Sequence, residues 1–518
     1  MSVTPAVDAG HDPRTGERRA GLAHTTPDEL AAILDRAVQA APVVAGTAPA
    51  TRAAWLDAVA DGLEAHADEL VAIADAETAL GSPRLPGELA KAAAQARFYG
   101  SVAAEGSFVD ARIDTAGGPA GVDLRRARRP VGPVAVFGAS NFPFGFGVAG
   151  HDTCSALAAG CPVVVKAHPA HPELSGRLAQ VVADALTSAG APEGAFALVV
   201  GFDSGLALVD ADQVAAVGFT GSQTGGMALV ERAAARPRPI PVYAEMGTVN
   251  PAVVTRAGAA GRAEDIACGF VESFTLGAGQ FCTKPGLLLV PAGSEIGARV
   301  ADLVAERDGA HALTQGIAAA YATGRSDLEA AGARVLADGR TPGAGNAVQA
   351  VLAQVDAKAL TPGSRLLEEC FGPLALVVEY ASDDQRDQLL TTLQPSLAAA
   401  VASGGEGDTE VACVVELLSH QVGRVVVDGW PTGVAGTWAQ HHGGPWPATS
   451  RPDATSVGAA ALDRFTRPVA YQDVPASALP PELTDDNPWG LPRRMDGRLQ
   501  QSGDSDSDGG GGSRGGAA

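Results

Sequence analysis

The chain has 518 residues and a formal charge of −22, with 46% apolar and 19% charged side chains. That length can bury large cores, and at about 150 residues per unit it implies two to four domains. The acidic balance disfavours nucleic acid and anionic membrane as partners, no run of about 20 apolar residues suggests a membrane span, and no basic-then-apolar leader opens the chain, so the expected location is the cytoplasm.

Residues 1–24 are polar and rich in Gly, Pro and Arg, and are expected to form a mobile arm. TTPDEL then supplies a capping box, with Thr26 as the cap, Pro27 at the first helical position and Glu29 three residues after the cap. From there to about Gly100 the Ala/Leu/Glu-rich spacing predicts several helices. From about residue 131 short apolar runs alternate with amphipathic stretches. PVAVFGAS, PVVVKA, FALVVG, AAVGFTGS and IPVYAEMG read as strands buried on both faces. That alternation predicts an α/β fold class with a parallel, helix-covered sheet. PAVVT, GLLLVP, LALVVEY and GRVVVDG mark a second α/β region between about 248 and 430. PTGVAGTWAQHHGGPWPATSRP reads as loops. QSGDSDSDGGGGSRGGAA, residues 501–518, reads as a disordered tail, because that composition cannot bury a core.

Six cysteines are scattered without a CxxC pair, which argues against a disulfide framework or a zinc site. Most lie in apolar company and read as buried small hydrophobes. Cys282 differs. It sits in LGAGQFCTKPG, a polar glycine-rich turn with no histidine nearby in sequence.

Other segments could carry chemistry. Lys166 ends a strand, where α/β proteins bind ligands, but a rim lysine paired to a carboxylate fits as well. Glu245 ends the YAEMG strand; partial burial would raise its pKa and suit it to act as a general base, and a salt-bridged glutamate is the alternative. Asn141, in GASNFPF, offers an amide to an oxyanion or simply builds a turn. GFGVAG at 145–150 fits a dinucleotide fingerprint, yet the next strand ends in Lys166 rather than a carboxylate, which favours a packing turn. GFTGSQTGG is the better phosphate loop: a strand leads through Gly221 and Ser222 into a helix N-terminus. His168 with His171, and His441 with His442, lack metal-ligand spacing on a helix and read as loop residues; no metal is expected.

Together these segments resemble the aldehyde dehydrogenase superfamily. ASNFPF, VVVKAHPAHP, GFTGSQTGG, EMGTVNP, GQFCTKPG and EECFGP follow the family's motifs in order, and the likeness runs from the N-terminal helices to about residue 470. The segment from FGASNFPF to VVVKAHPAHP, with QHHGGPWPATS and NPWGLPRR, looks most like the 2,5-dioxovalerate (α-ketoglutarate semialdehyde) dehydrogenase branch, which also holds NADP-dependent fatty aldehyde dehydrogenases.

The resemblance implies an aldehyde substrate, NADP or NAD as cofactor, and oxidation of 2,5-dioxopentanoate to 2-oxoglutarate. A fatty or other aliphatic aldehyde is the alternative within the class. A cysteine hydrolase or acyltransferase without redox chemistry is the alternative outside it. Cys282 would be the nucleophile, Asn141 an oxyanion donor and Glu245 the base that activates water. Lys166 and Ser222 would hold the adenosine ribose and phosphates, with Gly221 permitting close approach. Glu369 would hold the nicotinamide ribose, and Phe371 would pack nearby. Two positions depart from the family. Pro169 stands where many NAD-preferring relatives carry a glutamate, so NADP is permitted. Ser140 replaces an aromatic residue before the Asn. The implied organisation is a Rossmann-type NAD(P)-binding domain over 25–247, with an oligomerisation hairpin near 110–130. A catalytic domain follows over 248–435, then a return and bridging segment over 436–500. Bridging strands imply a homodimer or homotetramer.

Overall fold

The computed structural model describes residues 6–118, 121–341 and 343–500. The tail expected at 501–518 lies outside the described residues.

The segment expected as a mobile arm is instead an antiparallel hairpin, Val7–His11 against Arg18–Ala23. Charged side chains tie it down. Arg14 pairs with Asp75 at 2.8 Å and Arg19 with Glu173 at 3.3 Å. The sequence gives no hint of this, because contacts made by charges across long separations leave no apolar period.

Thr26 caps the helix Pro27–Gly46 as the capping box predicts: Thr26 Oγ1 accepts the Glu29 N–H at 3.3 Å, and Glu29 Oε2 accepts the Thr26 N–H at 2.8 Å. Helices Pro49–Ala65, Ala67–Thr78 and Arg84–Glu105 follow. Their apolar faces bury Trp55, Leu56, Leu63, Leu85 and Tyr99 in one core with the first sheet.

That sheet has five parallel strands in the order Phe196–Val199, Val163–Lys166, Val134–Phe137, Ala216–Gly221, Val242–Met246. The chain starts at the central strand and runs first to one side, then to the other. The carboxyl ends beside such a reversal form a ligand crevice. Asn141, Lys166, Gly221 and Glu245 all belong to carboxyl ends of this sheet.

A second sheet has seven strands in the order Arg334–Asp338, Val351–Val355, Leu374–Tyr380, Leu287–Pro291, Pro251–Val254, Ser396–Ala402, Val422–Val427. The edge strand Arg334–Asp338 is antiparallel and the rest are parallel. A third sheet joins distant segments. Thr466–Gln472 pairs antiparallel with Leu124–Pro130, which pairs with Ala111–Asp114. Arg493–Met495 and Arg498–Gln500 complete it. No helix of the described residues is long and apolar enough to cross a membrane.

Candidate active site

Cys282 is placed by an unusual turn. The helix Ala263–Thr275 ends, and Gly277, Ala278 and Gly279 then take φ of 55°, 59° and 65°. Three successive left-handed residues reverse the chain sharply, and glycine makes two of them inexpensive. Downstream, Lys284 is only 2% exposed. Its ammonium donates to the carbonyls of Cys370, Gly372 and Leu374 at 2.9, 3.0 and 2.8 Å. The amide of Asn250 donates to the carbonyls of Cys282 at 2.7 Å and Lys284 at 3.1 Å. The TVNP and EECFGP segments thus hold the cysteine loop from two sides. A residue pinned through its own carbonyl has a fixed backbone, so its sulfur moves only by rotation about χ1.

Glu245 lies at the end of its strand, 3% exposed. Ser456 Oγ donates to its Oε2 at 2.6 Å. His442 Nε2 is 3.0 Å from Oε1, and the same nitrogen is 3.6 Å from Cys282 Sγ. The His442 N–H donates to Thr455 Oγ1 at 2.7 Å, which fixes the histidine's backbone. The ligand atoms of Glu245, Cys282 and His442 all lie within 4.8 Å of one another. One expectation changes here. Cys282 does have a histidine beside it, 160 residues away in sequence. And His442, in a loop as expected, is a buried member of the cluster. The sequence signal was the QHHGGPWPATS segment, which carried a family likeness but no assignable role. Ser456, Thr455 and Asn250 left no comparable signal.

The electrostatics also differ from expectation. Burial alone would raise Glu245, but the charge of His442 and hydrogen bonds from His442, Ser456 and Cys282 outweigh it and hold the carboxyl below its ordinary range. The expected raised pKa is therefore absent. Burial sought to neutralise the carboxylate, and donors on several sides stabilised its charge instead. Cys282 moves the other way. Burial pushes its thiol well above its usual value, and the negative charges of Glu245 and Glu369 add to this, with Arg424 opposing. The resting site pairs a protonated thiol with an ionised carboxylate.

Asn141 is buried and donates one amide N–H to the carbonyl of Gln280 at 2.8 Å, two residues before Cys282. That bond brings the amide to the cysteine loop and leaves a second N–H for a ligand. The GFGVAG segment proves to be a packing turn: a Cβ on Gly147 would lie 1.9 Å from the carbonyl oxygen of Pro143. Of the other cysteines, Cys154, Cys161 and Cys370 are buried. Cys413 is exposed on the helix Glu410–Ser419, so polar surroundings did not single out Cys282 alone.

The residues expected to hold the cofactor fit a dinucleotide. Ser222 caps the helix Gln223–Ala234 by accepting the Gly225 N–H at 3.1 Å. That leaves a helix N-terminus facing outward beside Gly221, suited to a pyrophosphate. Lys166 ends its strand at the same edge, its pKa lowered by burial against the opposing pull of Asp8. Glu369 reaches across from the second sheet. Its carboxylate lies so close to Gly247 that a Cβ there would sit 2.1 Å from Oε2. Glu369 Oε1 is covered yet accepts no hydrogen bond among the described residues. A ribose hydroxyl would supply the missing donor. Burial pushes this carboxyl up to about 7, with the Lys284 ammonium only partly offsetting it. Phe371 follows two residues later and keeps some exposure.

The Cys282 thiol, the Glu245 carboxylate and the Asn141 amide lie in a chain that is similar to known proteins. Residues 8–445 match the family described as "Aldehyde dehydrogenase family". Alpha-ketoglutaric semialdehyde dehydrogenase 2 of Azospirillum brasilense is 44% identical over 462 residues, covering 87% of this chain and 88% of that protein. Alpha-ketoglutaric semialdehyde dehydrogenase of Acinetobacter baylyi is 39% identical over 492 residues, covering 93% of each. Among solved structures, PnpE in complex with nicotinamide adenine dinucleotide superposes with a TM-score of 0.78 at 20% identity, over 91% of this chain and 95% of that one. An NADP-dependent enzyme of E. coli gives a TM-score of 0.77 at 22% identity, over 90% and 94%. The structures share the fold, and the family match over most of the chain decides the rest: this protein belongs to the aldehyde dehydrogenase family and is an oxidoreductase that uses NAD(P).

Proposed function

We propose that the chain oxidises 2,5-dioxopentanoate to 2-oxoglutarate, with Cys282 as nucleophile. The observation that carries the chemistry is the cluster of Cys282, Glu245 and His442, with the Asn141 amide bonded to the cysteine loop. The names of two relatives at 44% and 39% identity support the substrate.

The thiol gives its proton to water, Sγ bonds to the aldehyde carbon, and the carbonyl π pair moves onto oxygen. His442, within reach of both Sγ and Glu245, orders the path for that proton. The oxygen of the resulting thiohemiacetal takes up negative charge. The free Asn141 N–H and the Cys282 backbone N–H hold it, an arrangement that costs no reorganisation when the charge appears. NAD(P)+, held by Lys166, Ser222 and Glu369, would supply the acceptor for the hydride on this carbon. A thioester on Cys282 remains. Glu245 then takes a proton from water, the water oxygen bonds to the thioester carbon, and the C–S bond breaks; the acid leaves, and the proton on Glu245 passes to the freed Cys282 thiolate. A low-pKa carboxylate is a modest base, but it is fully ionised and held in place by Ser456. Lys166, Gly221 and Ser222 would bind the adenosine end of the cofactor, and Glu369 the nicotinamide ribose. Pro169 places no carboxylate three residues after Lys166, which supports acceptance of NADP as well as NAD.

A panel of aldehydes with NAD and NADP tests the substrate reading. The highest kcat/KM is expected with 2,5-dioxopentanoate. A preference for a long-chain aldehyde would replace that reading with fatty aldehyde oxidation.

Glu369 gives a second, pH-dependent test. Its carboxyl is protonated below about 7 and ionised above it. The ionised form accepts ribose hydroxyls more strongly. Cofactor affinity, measured by fluorescence titration, is therefore expected to rise roughly 10-fold between pH 6 and 8. Glu369→Gln should bind more weakly and lose the slope. An unchanged slope in that variant would remove Glu369 as its source.

A further inference from the structure

Arg84 is a largely buried cation close to the site, and the chemistry above does not use it. It opens the helix Arg84–Glu105, and its side chain is 17% exposed. Its guanidinium carbon lies 4.9 Å from the Phe142 ring centroid and 4.6 Å from that of Phe281. Phe142 directly follows Asn141, and Phe281 directly precedes Cys282. The cation is therefore held beside both residues that would grip the aldehyde.

Its hydrogen bonds are incomplete. Nη2 donates to the backbone carbonyl of Asn141. Glu88 Oε2 forms an ion pair with Nη2 at 3.7 Å, beyond a hydrogen bond, and is itself covered without a hydrogen-bond partner among the described residues, while Oε1 accepts the N–H groups of Phe144 at 2.9 Å and Gly145 at 3.1 Å. Nη1 is buried and has no partner among the described residues. It packs against Gly277, where a Cβ would lie 2.2 Å away. Aromatic faces orient a guanidinium without consuming its hydrogens. A buried charged donor without an acceptor is costly, and native proteins rarely keep one without reason.

We propose that Arg84 binds the carboxylate at the far end of the substrate and so selects aldehydes that carry one. The expected reach rests on the 2,5-dioxopentanoate reading: four carbon–carbon bonds separate its aldehyde carbon from its carboxylate, about 5 Å when extended. The planar fork of an arginine matches a carboxylate with two parallel hydrogen bonds, which a lysine does not reproduce. Arg424 is also near enough to act on the Cys282 thiol. Its Nη2 donates to the carbonyls of Pro431 and Gly433, the role of a loop brace, while its Nε is buried without a partner among the described residues, so the test below includes it.

The test compares kcat/KM of the full-length enzyme on 2,5-dioxopentanoate, 5-oxopentanoate and pentanal. The wild type should prefer both carboxylated aldehydes. Arg84→Met should lower kcat/KM for them roughly 10- to 100-fold more than for pentanal, mainly through KM, as loss of a charge-assisted hydrogen bond requires. Arg84→Lys keeps the charge without the fork, should lose less of that ratio, and carries the test if the Met variant does not fold. Equal losses on all three aldehydes would make Arg84 a brace for Asn141 and overturn the proposal. Loss of the preference in Arg424→Met but not in Arg84→Met would overturn it too, as would a wild type indifferent to the carboxylate. A wild type that prefers 5-oxopentanoate, with selectivity that depends on Arg84, would uphold Arg84 and overturn the dioxopentanoate reading alone.

Discussion

Cys282→Ala is expected to abolish aldehyde-dependent formation of NAD(P)H, a loss of about 10^4-fold or more, the scale of removing a covalent nucleophile. Among the described residues the titratable cluster at the site consists of Glu245, Cys282 and His442, with no second thiol in it. The fold should survive. The cysteine loop is pinned through backbone carbonyls by Asn250 and through the Lys284 ammonium, and none of those bonds uses the sulfur. Cofactor binding measured by fluorescence should therefore persist while turnover vanishes. Turnover near the wild-type rate in the alanine variant would end the covalent mechanism.

Glu245→Gln should separate the two halves of the reaction. Water activation is lost, so steady-state turnover should fall about 10²- to 10⁴-fold. Attack by the thiol does not need Glu245 in the proposed scheme. One equivalent of reduced cofactor per site should still appear rapidly, and mass spectrometry should then find the acyl group on Cys282. The electrostatics add a second readout with a definite sign. The Glu245 charge is a cause of the raised thiol pKa, after burial. Removing it lowers that pKa, so the pH profile of iodoacetamide alkylation should move to lower pH. A site in which Glu245 chiefly deprotonates the thiol predicts slower alkylation instead. Trapping of the acyl-enzyme in His442→Asn rather than in Glu245→Gln would transfer the base role to the histidine.

Some of the architecture was legible because local rules and tertiary demands agreed. The runs at Val134–Phe137, Val163–Lys166 and Val242–Met246 are continuous and apolar, as strands covered on both faces must be. The Thr26 cap and the Ser222 cap follow from short side chains accepting backbone N–H groups close by. Ser396–Ala402 shows the limit. SLAAAVA carries no strand signal of its own, since alanine favours helix. Yet it lies between Pro251–Val254 and Val422–Val427 with every residue buried. Small side chains suit a strand covered on both faces, and packing overrides propensity there. The hairpin at Val7–Ala23 was missed for a related reason, because long-range ion pairs hold it.

The sequence by itself determined the family and pointed to the candidate reactive groups. Cys282, Glu245, Asn141, Lys166 and Glu369 lie in ordered motifs, and their expected roles came from the resemblance those motifs carry, since residue type and neighbours alone fitted structural parts as well. Only the tertiary structure decided their electrical state and their company. It set His442 between thiol and carboxylate, drove the Glu245 pKa down and the Cys282 pKa up, and placed the Arg84 guanidinium against the two rings that flank the site. Burial and charge act through space, and separations of 160 residues or more along the chain carry no trace of them.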